Sequence, residues 1–142
     1  MLGVNPYIAF KGNCKEAIDF YKCALDAELL YSQTWGDSPM SEPGLEDMIM
    51  HATLKVGGSH IMMCDDPRSE TPAASNISLA VGLNDVETAK RLFNNLSDGG
   101  SVTMPLDKTF WAEAFGMLTD KFGINWMVNC DTPQTETEKA AA

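Results

Sequence analysis

Hydrophobic and polar positions change their period several times along the chain, and each change marks an element. Asn5 to Lys11 is a short apolar run stopped by Gly12, which reads as a strand. From Cys14 the period becomes helical. Cys14, Ala17, Ile18, Tyr21, Ala24 and Leu25 form one stripe, with Lys15, Glu16, Asp19 and Lys22 outside it. Asn13 stands three residues before Glu16, the spacing of a capping box. Glu28 to Trp35 reads as a second strand, and residues 36–47, GDSPMSEPGLED, as a long acidic loop of the kind that often forms a lid.

Met48 to Val56 and Ser59 to Asp65 form the clearest hairpin, turning at Gly57-Gly58. A two-residue turn sets Lys55 against His60, Thr53 against Met62 and His51 against Cys64, all on one face. The other face carries Met50, Ala52, Leu54, Val56, Ile61 and Met63, apolar enough to lie on a helix. Residues 66–75, DPRSETPAAS, have linker composition, and the order of elements then repeats. Asn76 to Leu83 reads as a strand with Ile77, Leu79, Val81 and Leu83 inward. Asp85 caps a helix with the stripe Val86, Ala89, Leu92, Phe93 and Leu96, and Asp98-Gly99-Gly100 ends it. Ser101 to Lys108 is a strand. Phe110 to Leu118 and Ile124 to Asn129 close the set as a hairpin, with Asp120 bonding its own turn and Gly123 taking a positive φ. The pattern is strand, helix, three strands, written twice.

A chain of 142 residues buries about two-thirds of its unfolded surface, so it needs no staple. Cys14, Cys23, Cys64 and Cys130 show neither a CxxC pair nor a finger spacing, and reduced thiols are expected. A formal charge of −10 disfavours nucleic acid and anionic membrane surfaces and favours a cationic ligand, besides keeping the protein soluble. No apolar run approaches the length of a membrane span and no leader pattern opens the sequence, so a cytoplasmic location is expected. There is no GxGxxG, phosphate-binding loop, GxSxG or HExxH.

The repeated unit, AIDFYKCALDAELL after the first cap, and the ending DKFGINWMVN resemble the glyoxalase, bleomycin-resistance and extradiol-dioxygenase (vicinal oxygen chelate) superfamily. HATLKVGGSHIMMCDD together with TFWAEAFGMLTDKFGINWMVN is similar to its PhnB-like branch. The resemblance implies an α+β fold of two βαβββ modules, residues 4–65 and 76–130, joined by the 66–75 linker. Each module is then a curved, cup-like mixed sheet with its helix outside. Residues 131–142, DTPQTETEKAAA, are polar and then small, and a disordered tail is expected from that composition. The resemblance also implies a homodimer and a divalent metal held by side chains of the first and last strands. Those metal positions fall at Pro6 or Tyr7, Met62, Asn76 or Ser78, and Met127, none of them a good ligand for a hard or borderline ion. No metal or other cofactor is therefore expected. PhnB-like proteins are often described as demethylubiquinone methyltransferases, but the glycines needed to admit that cofactor are missing.

What remains in the implied cups is His51, Thr53, Met62, Cys64, Trp111, Glu113 and Met127, the candidate ligand-binding residues. His51 facing Cys64 is the arrangement in which an imidazole can generate a thiolate, although a half-buried histidine beside an inert thiol looks the same in sequence. Zinc on His51, Cys64 and Glu113 matches no standard spacing. Glu113 lies in an apolar run, where a buried carboxylate requires a partner. Met62, Met63, Met127, Phe110, Trp111, Phe115 and Trp126 have the adaptable surfaces of a pocket wall and equally of a core. Three functions follow: a metal-free small-molecule-binding protein, a lyase or oxygenase using His51 and Cys64 or an unconventional metal, and an interaction protein with filled cups.

Overall fold

The computed structural model describes residues 2–39, 41–67 and 75–131. The chain divides into two units, Met1–Ala73 and Ala74–Ala142. The first contains β1 (Tyr7–Phe10), α1 (Cys14–Leu25), β2 (Glu28–Thr34), β3 (Ile49–Val56) and β4 (Ser59–Asp65). Its strands lie in the order β1-β4-β3-β2, with β1 parallel to β4 and the remaining pairs antiparallel. The second contains β5 (Leu79–Leu83), α2 (Val86–Ser97), β6 (Ser101–Asp107), β7 (Ala114–Thr119) and β8 (Asn125–Cys130), in the order β5-β8-β7-β6 with β5 parallel to β8. Each unit is an open mixed sheet built as βαβββ, the expected α+β architecture. Register shifts in the β2–β3 and β6–β7 pairs are bulges, which bend and twist the outer strands.

Each helix lies on one face of its own sheet. All six stripe residues of α1 are buried, and so are Ala52, Leu54, Ile61 and Met63 beneath it. In the second unit Ala89, Leu92, Phe93 and Leu96 meet the face that carries Leu118, Trp126 and Val128. Gly116 allows that contact: a Cβ there would stand 2.7 Å from the Phe93 ring and 2.9 Å from the Leu106 Cα. The Gly57-Gly58 hairpin has the expected pairing, Lys55 with His60 and Thr53 with Met62.

Three local expectations are corrected. Asn13 makes no side-chain cap. Its role falls to Asp65, which is 1% exposed at the end of β4 and accepts from Gly12 N (2.8 Å), Cys14 N (3.0 Å) and Ile49 N (2.9 Å). The fifth strand begins at Leu79 rather than Asn76, and Ile77 is 70% exposed. The seventh begins at Ala114 rather than Phe110, because Thr109 folds the chain back on itself. Its N–H donates to Ala112 O, and its hydroxyl accepts from Trp111 N and Ala112 N.

Residues 36–47 start with a short 3-10 turn, Trp35–Asp37, and their two ends are tied by Trp35 N to Met48 O and Gly36 N to Glu46 O. Most of the expected 66–75 linker and the expected disordered tail beyond Asp131 lie outside the described residues.

Candidate functional site

Strand alternation leaves each sheet one face free of its helix. In the first unit, register aligns Tyr7, Met62, Thr53 and Tyr31 in one row across β1, β4, β3 and β2. Along the next row, Ala9 is paired with Cys64 and Gln33 with His51. His51, Thr53, Met62 and Cys64, four of the candidates, therefore share this face and are all half-buried.

Tyr7 links them. Its hydroxyl lies 3.1 Å from His51 Nδ1, and the other imidazole nitrogen, Nε2, lies 3.2 Å from Thr53 Oγ1. Tyr7 is also hydrogen-bonded to the Cys64 thiol. One donor order satisfies every group and accords with the lowering of the thiol: Thr53 O–H to Nε2, Nδ1–H to the Tyr7 oxygen, and Tyr7 O–H to the Cys64 sulfur. The His51 ring is flanked by Tyr7, with centroids 5.6 Å apart, and by Tyr31 at 6.0 Å. The Tyr31 hydroxyl in turn donates to Gln33 Oε1 at 3.1 Å. The tyrosines are each about half exposed, so the cluster is open to a ligand.

The surroundings of Cys64 favour its protonated form. Burial pushes the Cys64 thiol up, the Tyr7 hydrogen bond pulls it part of the way back, and Asp66 and Asp65 raise it further. Burial and the neighbouring Cys64 likewise raise the Tyr7 phenol. Both groups keep their protons at neutral pH, and both imidazole nitrogens are engaged with hydroxyls rather than with sulfur. Sequence reasoning weighed Tyr7 only as a metal position and passed over Tyr31 and Gln33. Alternation on β1 puts Tyr7 opposite Ile8 and Phe10, but the parallel β1–β4 register that brings it to His51 cannot be read from a seven-residue run.

The second unit presents a different surface. Met127 and Asn129 lie opposite the buried Trp126 and Val128 on β8, and Phe115 and Met117 join them from β7. Trp111 is 51% exposed and packs edge-on against Phe115 with ring centroids 5.4 Å apart, while Phe110 packs on Trp111 at 4.8 Å and is itself 97% exposed. Glu113 precedes β7, half-buried, and its N–H extends the ladder to Cys130 O at 2.9 Å. Trp126 is pinned by donating to Asp120 Oδ2 at 2.8 Å. The other oxygen of that carboxylate accepts from Phe122 N and Ile124 N, closing the turn as expected.

The divalent-metal positions implied by the resemblance can now be read in register. Met62 lies beside Tyr7, and Met127 lies beside Ala80, while Asn76 and Ser78 precede the strand. A protonated phenol, two thioethers and a methyl group do not fit a hard or borderline divalent ion. Among the described residues no three His, Cys, Asp or Glu side chains are grouped to hold one.

Comparison with known proteins accords with this architecture. Residues 3–128 match the Glyoxalase/Bleomycin resistance protein/Dioxygenase superfamily. Protein YjdN of Escherichia coli K12 is 39% identical over 137 residues, covering 89% of this chain and 93% of its own. The crystal structure of protein PA1353 from Pseudomonas aeruginosa is 42% identical with a TM-score of 0.85, over 94% of this chain and all of that one. The PhnB protein from Bacillus cereus is 26% identical with a TM-score of 0.78, over 91% of this chain and 99% of that one. With the repeated βαβββ unit and this coverage, the chain belongs to the glyoxalase/bleomycin-resistance/dioxygenase superfamily, in its PhnB-like branch.

Proposed function

We propose that the protein is a small-molecule-binding member of its superfamily that lacks the usual divalent-metal site, working as a homodimer in the cytoplasm. The observation that carries this reading is the chain Cys64–Tyr7–His51–Thr53 on the helix-free face of the first unit. Cys64, His51 and Thr53 are held half-buried there and are joined through the more exposed Tyr7, beside aromatic rings that remain exposed. A sheet face meant only for its own core would carry apolar residues, whereas an oriented polar row with aromatic flanks is the composition of a ligand site. A formal charge of −10 favours a cationic ligand, and the tyrosine rings supply faces for one.

Two measurements test it. Metal content by mass spectrometry, after loading with nickel, manganese, iron or zinc and dialysis, is expected to show no stoichiometric ion. One retained divalent ion per chain overturns the reading that the divalent-metal site is missing. A small-molecule screen by methyl and aromatic NMR is expected to find ligands that shift the Tyr7, Tyr31 and Met62 resonances and lose affinity in His51→Ala. Hits that perturb none of these residues overturn the assignment of the site. The enzyme reading rests on the same His51, and turnover that survives chelation but not His51→Ala would establish it instead.

A further inference from the structure

The second unit's open face has a feature that the proposed function leaves unused. Register aligns Met104 on β6 with Met117 on β7, and Met117 with Met127 on β8. Three methionines therefore occupy paired positions across three neighbouring strands, on the face turned away from α2. Strands in a sheet lie about 4.8 Å apart, and an unbranched methionine has three rotatable side-chain bonds, so the outer sulfurs can lean over the central one. Met117 and Met127 are half-buried, while Met104 is 44% exposed and leaves the row open at its outer end. The repeated fold does not require this row, because its counterpart in the first unit runs Tyr7, Met62, Thr53, Tyr31 and holds a single thioether.

We infer that Met104, Met117 and Met127 form a site for a soft monovalent metal ion of the copper(I) class. Thioether sulfur is neutral and polarisable, so it disfavours the hard and borderline divalent ions for which this face is unsuited and favours soft ones. Asp107 pairs with Phe115 in the adjacent row and adds negative potential without entering the thioether set. Leucine would serve equally well as a plain apolar floor, and three methionines in one row supply a ligand set that leucines do not.

Silver(I), equally soft and inert to redox change, is the probe. It is titrated into full-length protein labelled at the methionine methyl carbons, in a Cys23→Ser, Cys64→Ser background, because those two thiols are reachable and compete for the ion. Of the nine methionines, Met104, Met117 and Met127 are expected to shift together and saturate at one ion per chain, with zinc and manganese leaving them unmoved. Met117→Leu keeps volume and apolarity and is expected to weaken silver binding at least about tenfold. Met104→Leu, at an exposed position, gives the same readout should the Met117 variant fail to fold. Shifts confined to other methionines, affinity unchanged in both variants, or no shift up to about 1 mM silver overturn the site. The ligand reading of the first unit rests on different residues, so either proposal can fail alone.

Discussion

Asp65 is the residue whose replacement tests the fold of the first unit most sharply. Its carboxylate accepts three backbone N–H groups, from Gly12 and Cys14 at the start of α1 and from Ile49 at the start of β3, and two of those bonds are buried. Asp65→Ala leaves all three donors without their acceptor. At about 1–2 kcal/mol for each, the loss is about 3–6 kcal/mol. Asp65→Asn retains an oxygen for Gly12 and Cys14 but turns an amide N–H2 toward Ile49 N, so about half that loss is expected. The contact from Trp35 Nε1 goes to the main-chain oxygen of Asp65 and survives either change. Urea unfolding followed by tryptophan fluorescence is the assay, and at about 1–3 kcal/mol per molar urea the alanine variant should unfold at least about 1 M earlier. Asn13→Ala is the control. A capping-box reading makes it cost about 1 kcal/mol, whereas the bonds in place make it nearly silent. Asp65→Ala within about 1 kcal/mol of the parent, or Asn13→Ala the costlier of the two, would refute the reasoning.

Further outcomes follow from the same geometry. Cys14, Cys64, Cys130 and Tyr7 are all pushed up, chiefly by burial, so the folded state holds protons that the unfolded chain releases. The unfolded state then binds fewer protons, and stability is full below the ordinary thiol value of 9.0 and declines as pH rises above it. Urea midpoints at pH 7, 9 and 10 check this, and Cys14→Ala should flatten the decline. With Ellman's reagent at pH 8, exposed Cys23 should react first, Cys64 slowly, and the buried Cys14 and Cys130 only on unfolding. Tyr7→Phe should slow Cys64 further, because it removes the hydrogen bond that lowers that thiol. Gly116→Ala drives a methyl into Phe93 and the Leu106 backbone and should cost about 1–3 kcal/mol, read as an earlier thermal transition.

Much of this was legible in the sequence because the informative signals were local. The two helical stripes, the Gly57-Gly58 turn and the Asp120 turn depend on residues within a few positions of one another, and each stands where the pattern puts it. Alternation on β8 likewise separated Met127 and Asn129 from Trp126 and Val128. The rest depended on register between distant strands. Tyr7 reaches His51 across 44 residues of sequence, and Asp65 reaches Cys14 across 51. Thr109 is a local case that was missed: the apolar stretch from Phe110 reads as strand, yet the Thr109 hydroxyl folds the next three residues into a turn.

The two units show how one topology accommodates different local solutions. Asp65 pairs with Phe10 at the end of β1, and Cys130 pairs with Leu83 at the end of β5, so the two occupy equivalent places. In the first unit the carboxylate at that place bonds the helix start from across the sheet, and the local residue Asn13 is idle. In the second unit the place holds a buried thiol, and α2 is capped locally by Asp85, whose side chain accepts from Thr88 N at 3.1 Å and from the Thr88 hydroxyl. That cap is solvent-exposed, and both hydrogen bonds hold the Asp85 carboxyl below its ordinary value. Asp85→Ala should therefore behave as an ordinary cap deletion, with a small loss of stability. Asp65→Ala should cost several times more, because its bonds join a helix and two strands. Equal losses in parallel urea titrations would mean that the long-range carboxylate is no more than another helix cap.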